Sequence, residues 1–265
     1  MPRQVTAFSN STVKLLRSLR DKKARRSEGL FLAEGLRILT EARDSGRLPE
    51  IVAFSAEGAR HPLAAEIIAA TEAAGGDAIE TTPDILTKMS GKDNPQMLLG
   101  AYQQPDTGLA HIDRAKAPLW IVAQALRDPG NLGTILRTGD AVGAGGLILI
   151  DDSADPFSVE AVRASMGALF TQAIATARWP EFVDWCRGGE GELVGTSLKA
   201  SQDYLTAEYR RPCFLLIGNE QQGLPADYEA ACDLLVKIPM AGRADSLNAA
   251  MAAAVMAFAI TASWR

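Results

Sequence analysis

In the second half of the chain, short apolar runs alternate with longer segments of helical periodicity. The runs are rich in Val, Ile, Leu and Ala, as buried strands are, and they occupy residues 119–125, 146–150, 171–176, 192–197, 213–218 and 234–238. This repeated β–α pattern predicts a parallel sheet with helices on both faces. Residues 247–263 are nearly all small or apolar, which is typical of a helix buried in the fold or at a subunit interface. Ser246 is predicted to cap that helix.

The first hundred residues alternate in the same way, in shorter elements. The pattern predicts helices at residues 36–45 and 63–74, and strands at 29–35, 51–54, near 79 and at 98–102. Residues 103–118 include Pro105, Gly108 and Pro118 and have little apolar periodicity, so they are predicted to form a linker. The predicted fold class is therefore α/β, with a small domain at residues 1–102, the linker at 103–118 and a parallel-sheet domain at 119–265.

Charge is distributed unevenly along the chain. The net charge is −5, yet residues 1–47 hold eleven Lys and Arg against five Asp and Glu. Val13, Leu15, Leu16 and Leu19 interleave with cations here, as on an amphipathic helix. The cations, termed the basic strip below, are Lys14, Arg17, Arg20, Lys22, Lys23, Arg25 and Arg26. Such a strip can neutralise the phosphates of a nucleic-acid backbone without reading bases, and a solvated helix face explains it equally well.

Cysteine use and hydropathy exclude several classes of protein. The three cysteines are scattered and form no C-x-x-C pair, so neither a disulfide framework nor a zinc site is predicted. The N-terminus carries charge and no apolar signal core, and the longest low-charge stretch, residues 249–264, is shorter than the ~20 residues that span a bilayer. We therefore expect a cytoplasmic protein that needs neither a membrane nor a metal.

Three separated segments place glycines and small polar residues where an apolar run ends. They are residues 128–138 (DPGNLGTILRT), 216–224 (LIGNEQQGL) and 238–248 (IPMAGRADSLN). Glycines allow close approach to the main chain, which suits a flat, adenosine-containing ligand at the strand ends of an α/β sheet. No strand is followed by G-x-G-x-x-G and no P-loop is present, which argues against a dinucleotide site such as that of a nicotinamide-dependent dehydrogenase. Glycine spacing alone favours ordinary tight turns.

The polar residues in these segments also have simple structural explanations when each is taken singly. Asn131 lies near a predicted helix start and could cap it, and Arg137 could be a surface arginine of that helix. Glu220 directly follows an apolar strand, where a carboxylate must be solvated, paired or functional. Ser246 and Asn248 could both be capping groups. Only the ordered set of three segments makes coincidence improbable.

Taken in order, the three segments resemble the signature motifs of the SpoU/TrmH family of RNA ribose 2′-O-methyltransferases, within the SPOUT superfamily. The resemblance covers residues 118–265 well and the first hundred residues more loosely. It implies a trefoil knot in the C-terminal domain, a homodimer whose two subunits both reach RNA, and an N-terminal RNA-binding domain similar to a small ribosomal protein. The basic strip would then contact RNA.

The resemblance also assigns residues. It implies that the catalytic site is formed by Asn131, Arg137, Glu220, Ser246 and Asn248. The residues that it implies for binding S-adenosylmethionine are Leu216, Ile217, Gly218, Asn219, Gly223, Leu224, Ile238, Pro239, Met240, Leu247 and Asn248.

The implied reaction transfers a methyl group from S-adenosylmethionine to a ribose 2′-hydroxyl, with ribosomal RNA favoured over tRNA as the substrate. A guanidinium stays protonated in proteins, so Arg137 is expected to stabilise developing negative charge or to hold an RNA phosphate, and Glu220 could orient it. The histidines His61 and His111 lie outside the motifs. The proton acceptor stays open. A noncatalytic RNA-binding member of the fold is the alternative, against which the joint presence of the five catalytic candidates argues.

Overall fold

The computed structural model describes residues 2–92, 96–219 and 221–265, which form two compact units. The first unit comprises the chain up to Pro105 together with Asp155–Thr171, and the second comprises Asp106–Ala154 and Gln172–Arg265. Residues 155–171 thus pack with the first unit, although the sequence pattern placed them in the domain at 119–265. No helix in the described part of the chain is long and apolar enough to cross a membrane.

The helices and strands follow the predicted alternation. Up to residue 105 they are β1 Arg3–Val5, α1 Ser11–Ser18, α2 Lys22–Glu28, β2 Leu30–Glu34, α3 Leu36–Asp44, β3 Ile51–Ser55, α4 Pro62–Ala73, β4 Asp77–Thr81, α5 Pro83–Ser90 and β5 Leu98–Gln103. The remainder of the chain forms β6 Leu119–Gln124, α6 Pro129–Val142, β7 Gly146–Ile150, α7 Val159–Ser165, β8 Ala173–Ala177, α8 Trp179–Arg187, β9 Glu192–Thr196, β10 Gln202–Asp203, β11 Cys213–Ile217, α9 Ala226–Ala231, β12 Leu234–Lys237 and α10 Ala249–Ala262.

The sheet of the first unit is mixed. Its strand order is β1-β4-β3-β5-β2, with β1, β4 and β3 parallel and β5 antiparallel to both of its neighbours. The apolar residues that interleave with the basic strip anchor the first helices to this sheet, because Val13, Leu16 and Leu19 are buried in one core with Leu32 and Ile79. The predicted amphipathic helix is therefore present, but it is split into α1 and α2.

Asp21 explains the split, because its carboxylate accepts hydrogen bonds from the amides of Lys23 and Ala24 and so caps a new helix. The resulting turn brings Arg25 inward. Its Nη1 donates to the carbonyls of Leu19 and Arg20 at 2.9 and 2.8 Å, and its Nη2 donates to Asp155 Oδ2 at 2.6 Å. Arg25 is only 3% exposed, so it is not available to contact RNA as predicted.

Aromatic packing completes the attachment of residues 155–171 to the first unit. Phe31 lies 5.2 Å from Phe157 and 5.9 Å from Phe170, and Tyr102 lies 4.8 Å from Phe170, between ring centroids. These distances are typical of favourable aromatic pairs. The segment therefore completes the core of the first unit, although it follows β7 in the chain.

The sheet of the second unit is parallel throughout its described strands. Its order is β10-β12-β9-β11-β6-β7-β8, which confirms the predicted parallel-sheet domain. Trp120, Val122, Ile148, Phe214 and Leu216 are buried in its core. Burial on both faces explains why these strands are continuous apolar runs.

The last helix, α10, begins two residues later than predicted. Asn248 and not Ser246 is its N-cap, because Asn248 Oδ1 accepts from the amides of Ala250 and Met251 at 2.9 and 3.3 Å. The hydroxyl of Ser246 instead donates to Asp245 at 3.3 Å. The predicted cap was therefore wrong, since two residues with capping ability lie so close that the sequence alone does not separate them.

Replacing Arg25 with Gln is expected to destabilise the protein, because the substitution leaves the carboxylate of Asp155, 14% exposed, without its charge partner. Breaking a buried pair in this way costs about 3–5 kcal/mol. The neighbouring exposed Arg26→Gln is the control and should change the unfolding free energy by less than about 0.5 kcal/mol. Urea unfolding measures both, and equal midpoints would show that the ion pair contributes nothing.

Candidate active site

A cavity of about 300 Å³ opens where three neighbouring strands of the second unit end. The strands β12, β9 and β11 are parallel and adjacent, so Lys237, Thr196 and Ile217 end them at the same edge of the sheet. Ligands of open α/β sheets bind outside the carboxyl ends of strands. We call this space the strand-end cavity, and its volume lies at the lower end of the usual range for small-molecule sites.

The wall of the strand-end cavity combines apolar side chains with exposed main chain. Ile217, Ile238, Met240 and Leu247 provide apolar surface. At Gly218 a Cβ would lie 2.5 Å from the carbonyl carbon of Gly223, so only glycine lets these two backbone segments touch. Such a wall suits a flat ligand held by main-chain groups.

Most of the predicted cofactor residues line this cavity. They are Ile217, Gly218, Asn219, Gly223, Leu224, Ile238, Met240 and Leu247. Of the others, Leu216 is fully buried within β11, Asn248 lines a neighbouring cavity, and Pro239 lies outside the described wall of either. Their roles in binding stay predictions.

Part of the wall was not predicted from the sequence. The residues that were not predicted include Thr196, Ser197, Leu198, Lys199, Gln221, Gln222, Glu229, Lys237 and Asp245. Residues 196–199 lie at the end of the strand predicted at 192–197 and just after it, and that position was the available signal. The order of strands in the sheet decides which strand lies beside β11, and that order cannot be predicted from the sequence pattern.

A second, larger cavity of about 790 Å³ adjoins the first. Both are lined by Asn219, Gln221, Gln222 and Gly223, which we call the Asn219 turn. Asn219 Oδ1 accepts from the amides of Gln221 and Gln222, and Asn219 Nδ2 donates to the carbonyl of Ala125 at 2.9 Å. We call the second space the polar cavity; its other residues are Gln124, Ala125, Arg127, Asp128, Asn131, Pro225 and Asn248.

Two predicted catalytic residues, Asn131 and Asn248, meet in the polar cavity. Asp128 caps α6 by accepting from the amide of Asn131 at 2.7 Å, so the side chain of Asn131 is not needed as a cap. Its Oδ1 accepts from Asn248 Nδ2 at 3.1 Å. The structure thus joins residues that are 117 positions apart in the sequence.

Arg137 is not joined to that pair. It lies six residues after Asn131 on α6, about 120° around the helix axis, and its side chain is exposed. It lines neither cavity, and no hydrogen bond or ion pair to its side chain is found among the described residues.

Of the other predicted catalytic residues, Ser246 lines the strand-end cavity. Glu220 lies outside the described residues, so its predicted bond to Arg137 stays a prediction.

The described residues do not support two other kinds of catalytic chemistry, a thiol nucleophile and a metal ion. Burial raises the pKa of Cys186 to about 11 and that of Cys232 to about 12, so both thiols stay protonated near neutral pH. In residues 2–92, 96–219 and 221–265, no group of three His, Cys, Asp or Glu side chains could hold a metal ion.

Comparison with known proteins identifies the family. The model of the SpoU rRNA Methylase family matches residues 118–258, and that of the MRM3-like substrate binding domain matches residues 10–100. The chain is 32% identical over 246 residues to the 23S rRNA (uridine(2479)-2′-O)-methyltransferase of Streptomyces viridochromogenes, with 90% of this chain and 84% of that protein covered. It therefore belongs to the SpoU rRNA methylase family.

Further comparisons extend over nearly the whole chain. The 23S rRNA (guanosine(2553)-2′-O)-methyltransferase RlmP of Bacillus subtilis is 29% identical over 256 residues, covering 97% of this chain and 98% of that protein. The crystal structure of an AdoMet-bound rRNA methyltransferase from Sinorhizobium meliloti is similar with a TM-score of 0.90 at 39% identity, covering 97% of each chain. These comparisons confirm the predicted family and α/β fold class, whereas the trefoil knot stays a prediction.

The cap assignment at α10 has a direct test. Asn248→Ala should lower stability by about 1 kcal/mol because two amides lose their acceptor, whereas Asn248→Asp should keep most of it because the carboxylate still caps. Ser246→Ala should leave the thermal midpoint unchanged. A loss on Ser246→Ala as large as that on Asn248→Ala would contradict the assignment.

Proposed function

We propose that this protein transfers the methyl group of S-adenosylmethionine to a ribose 2′-hydroxyl of ribosomal RNA. The observation that carries the proposal is the pair of adjoining cavities, which share the Asn219 turn, with the contact between Asn131 and Asn248 in the polar cavity. A transfer between two bound molecules needs two sites side by side, one for each reactant. The names of the similar proteins support both the reaction and the class of RNA.

The residues of the strand-end cavity fit S-adenosylmethionine. Apolar side chains and the closely packed turns at Gly218 and Gly223 suit an adenine ring, and the carboxylates of Glu229 and Asp245 suit hydroxyl or ammonium groups. The similar Sinorhizobium meliloti structure contains AdoMet, which supports the assignment. When bound, this cofactor supplies a methyl group already activated by a sulfonium, so the protein needs no metal for the displacement.

The polar cavity is assigned to the target nucleotide. The amides of Asn131 and Asn248 hold each other in place and orient the ribose. The Asn219 turn, held to Ala125 by a hydrogen bond, lines both cavities where they adjoin and so would set the direction from which the ribose approaches the donor. Positioning of this kind accounts for much of the catalysis of a reaction with an activated leaving group. Arg137 neutralises the charge that develops on the 2′-oxygen or holds an adjacent phosphate.

The basic strip is assigned to RNA phosphates. With Arg25 excluded, its members Lys14, Arg17, Arg20, Lys22, Lys23 and Arg26 are all exposed on α1, α2 and the turn between them. The match to a substrate binding domain over residues 10–100 supports this role. The similar 23S rRNA methyltransferases are from bacteria, which supports a cytoplasmic location.

The outer face of α10 supports a homodimer. Met251 and Phe258 are 61% and 54% exposed, and the half-buried Ala254 and Val255 lie between them on the same face. Apolar residues spaced in this way form a continuous stripe along a helix. A second copy of the chain would cover the stripe. Arg137, which lines neither cavity of its own protomer, would then act on RNA that is bound by the partner.

The function is tested by mapping 2′-O-methylated nucleotides in total RNA from cells with and without the gene. One ribosomal RNA position should lose its methyl group in the deletion strain and regain it when the purified protein is incubated with that RNA and S-adenosylmethionine. An unchanged methylation map, together with no binding of S-adenosylhomocysteine in calorimetry, would refute the proposal.

Arg137→Ala should reduce methyl transfer roughly 100-fold or more, because it removes the group that stabilises the developing charge. Binding of S-adenosylhomocysteine should be unchanged, since Arg137 lines neither cavity. Arg137→Lys should restore little activity, because an ammonium does not reproduce the guanidinium fork. The exposed Arg178→Ala is the control. Normal turnover of the Ala variant would remove Arg137 from the mechanism.

Phe258→Glu should convert the protein from a dimer to a monomer, as measured by light scattering after size exclusion, because a carboxylate cannot be buried in an apolar interface. Leu205→Glu is the matched control, since Leu205 is 70% exposed in the same unit but belongs to the loop after β10 and not to α10. A wild-type protein that is monomeric at micromolar concentration would contradict the dimer.

The RNA affinity of the wild type should fall steeply with salt concentration. A triple Gln variant at Arg17, Arg20 and Lys23 should flatten the slope of log K against log salt by about 2–3, or roughly 0.7–0.9 for each phosphate that is no longer neutralised. A double Gln variant at Arg47 and Arg60, exposed cations outside the strip, serves as the control. Equal slopes in all three proteins would show that the basic strip is only a solvated surface.

A further inference from the structure

Glu229 is a carboxylate built into the wall of the strand-end cavity. It lies on α9, one helical turn after Pro225, and its side chain is only 15% exposed. Oε1 accepts from the hydroxyl of Ser197 at 2.6 Å, and Oε2 lies 3.7 Å from the ammonium of Lys199. The sequence motifs do not include any of these three residues.

The orientation of this carboxylate is fixed by Ser197. The amide of Ser197 donates to the carbonyl of Val236 at 2.9 Å, which holds the residue against β12. Its hydroxyl oxygen accepts from the amide of Lys199 at 3.2 Å, so the hydroxyl proton is directed to Glu229. The side chain of Glu229 is therefore preorganised before any ligand arrives.

The second carboxylate oxygen, Oε2, has only a distant charge partner among the described residues. The ammonium of Lys199, whose side chain is 81% exposed, lies 3.7 Å from it, which is beyond hydrogen-bond distance. A carboxylate that is largely removed from water requires donors. Glu229 Oε2 therefore presents an acceptor to whatever occupies the strand-end cavity.

We propose that Glu229, oriented by Ser197, binds the ribose hydroxyls of the cofactor. The proposal rests on the proposed function, because it takes the strand-end cavity as the cofactor site. A carboxylate near the end of a strand binds ribose hydroxyls in other α/β nucleotide sites, since two adjacent hydroxyls can donate to one carboxylate. Adenine is less suitable, because donors and acceptors alternate along its edge and main-chain groups match them better.

The charge next to Glu229 favours the ribose over the ammonium of the amino-acid arm. In S-adenosylmethionine the ribose, through its 5′-carbon, and the amino-acid arm are both bonded to the sulfur, so the position of the sulfur does not separate them. The ammonium of Lys199 lies 3.7 Å from Oε2 and would oppose a second ammonium there, whereas neutral hydroxyls meet no such repulsion.

Calorimetric titration with S-adenosylhomocysteine and its 2′-deoxy and 3′-deoxy analogues tests the proposal. In the wild type, at least one deoxy analogue should bind about tenfold more weakly, the size expected for a hydrogen bond to a charged group. Glu229→Gln should bind S-adenosylhomocysteine about tenfold more weakly and should no longer distinguish that analogue from the parent ligand. Asp227→Asn, an exposed residue of the same helix that lines neither cavity, should behave as wild type.

Three outcomes would overturn the proposal. If Glu229→Gln weakens S-adenosylhomocysteine but leaves 5′-methylthioadenosine unaffected, Glu229 binds the ammonium. If no affinity changes while the melting temperature falls, Glu229 only ties α9 to the loop after β9. If the wild type binds both deoxy analogues as well as the parent, no carboxylate holds the hydroxyls, whatever happens to the variants.

A variant that fails to fold does not block the test, because Ser197→Ala keeps the carboxylate and removes only its orienting donor. It should weaken S-adenosylhomocysteine a few-fold and reduce the discrimination against the deoxy analogue; unchanged discrimination would overturn the role of Ser197. A wild type that does not bind S-adenosylhomocysteine at all would refute the proposed function itself, which is a distinguishable result.

Discussion

The parallel pairing of β9 with both β11 and β12 is the constraint on which the candidate site depends. Leu234 to Val236 run beside Val194 to Thr196, and Cys213 to Leu216 run beside Glu192 to Gly195, all in the same direction. Parallel pairing forces the segments after these strands to one edge of the sheet. The strand-end cavity is the space that remains between them, so its lining comes from three separated parts of the sequence.

Helix capping links the fold to the chemistry of the polar cavity. Asp128 accepts from the amide of Asn131 in the first turn of α6, which leaves the side chain of Asn131 able to accept a bond from another element. Asn248 caps α10 with its oxygen and contacts Asn131 with its nitrogen, so the two ends of one amide perform separate tasks. A side chain used in this way is held in one orientation without any ligand, and this preorganisation is what a positioning mechanism requires.

The first unit shows how burial separates residues that look alike in sequence. Arg25 and Arg26 are neighbours of identical chemistry, yet Arg25 is buried against Asp155 and Arg26 is exposed. The turn at Asp21 rotates α2 so that one cation faces the core and the other faces solvent. Asp155 lies 130 residues away from Arg25 and follows a strand of the other unit, so no local pattern could indicate the pair.

Local patterns determined the alternation of strands and helices and the parallel sheet from the sequence alone, because periodicity is visible within a short window of residues. The three ordered motifs carried the resemblance to the family and, through it, the eight predicted cofactor residues that line the strand-end cavity. The tertiary structure alone decided the order of strands in the sheet, the membership of residues 155–171 in the first unit, the burial of Arg25 and the meeting of Ser197 with Glu229. Each of these is a contact between distant segments, and its free energy depends on which surfaces the whole chain brings together and not on the residues nearby in sequence.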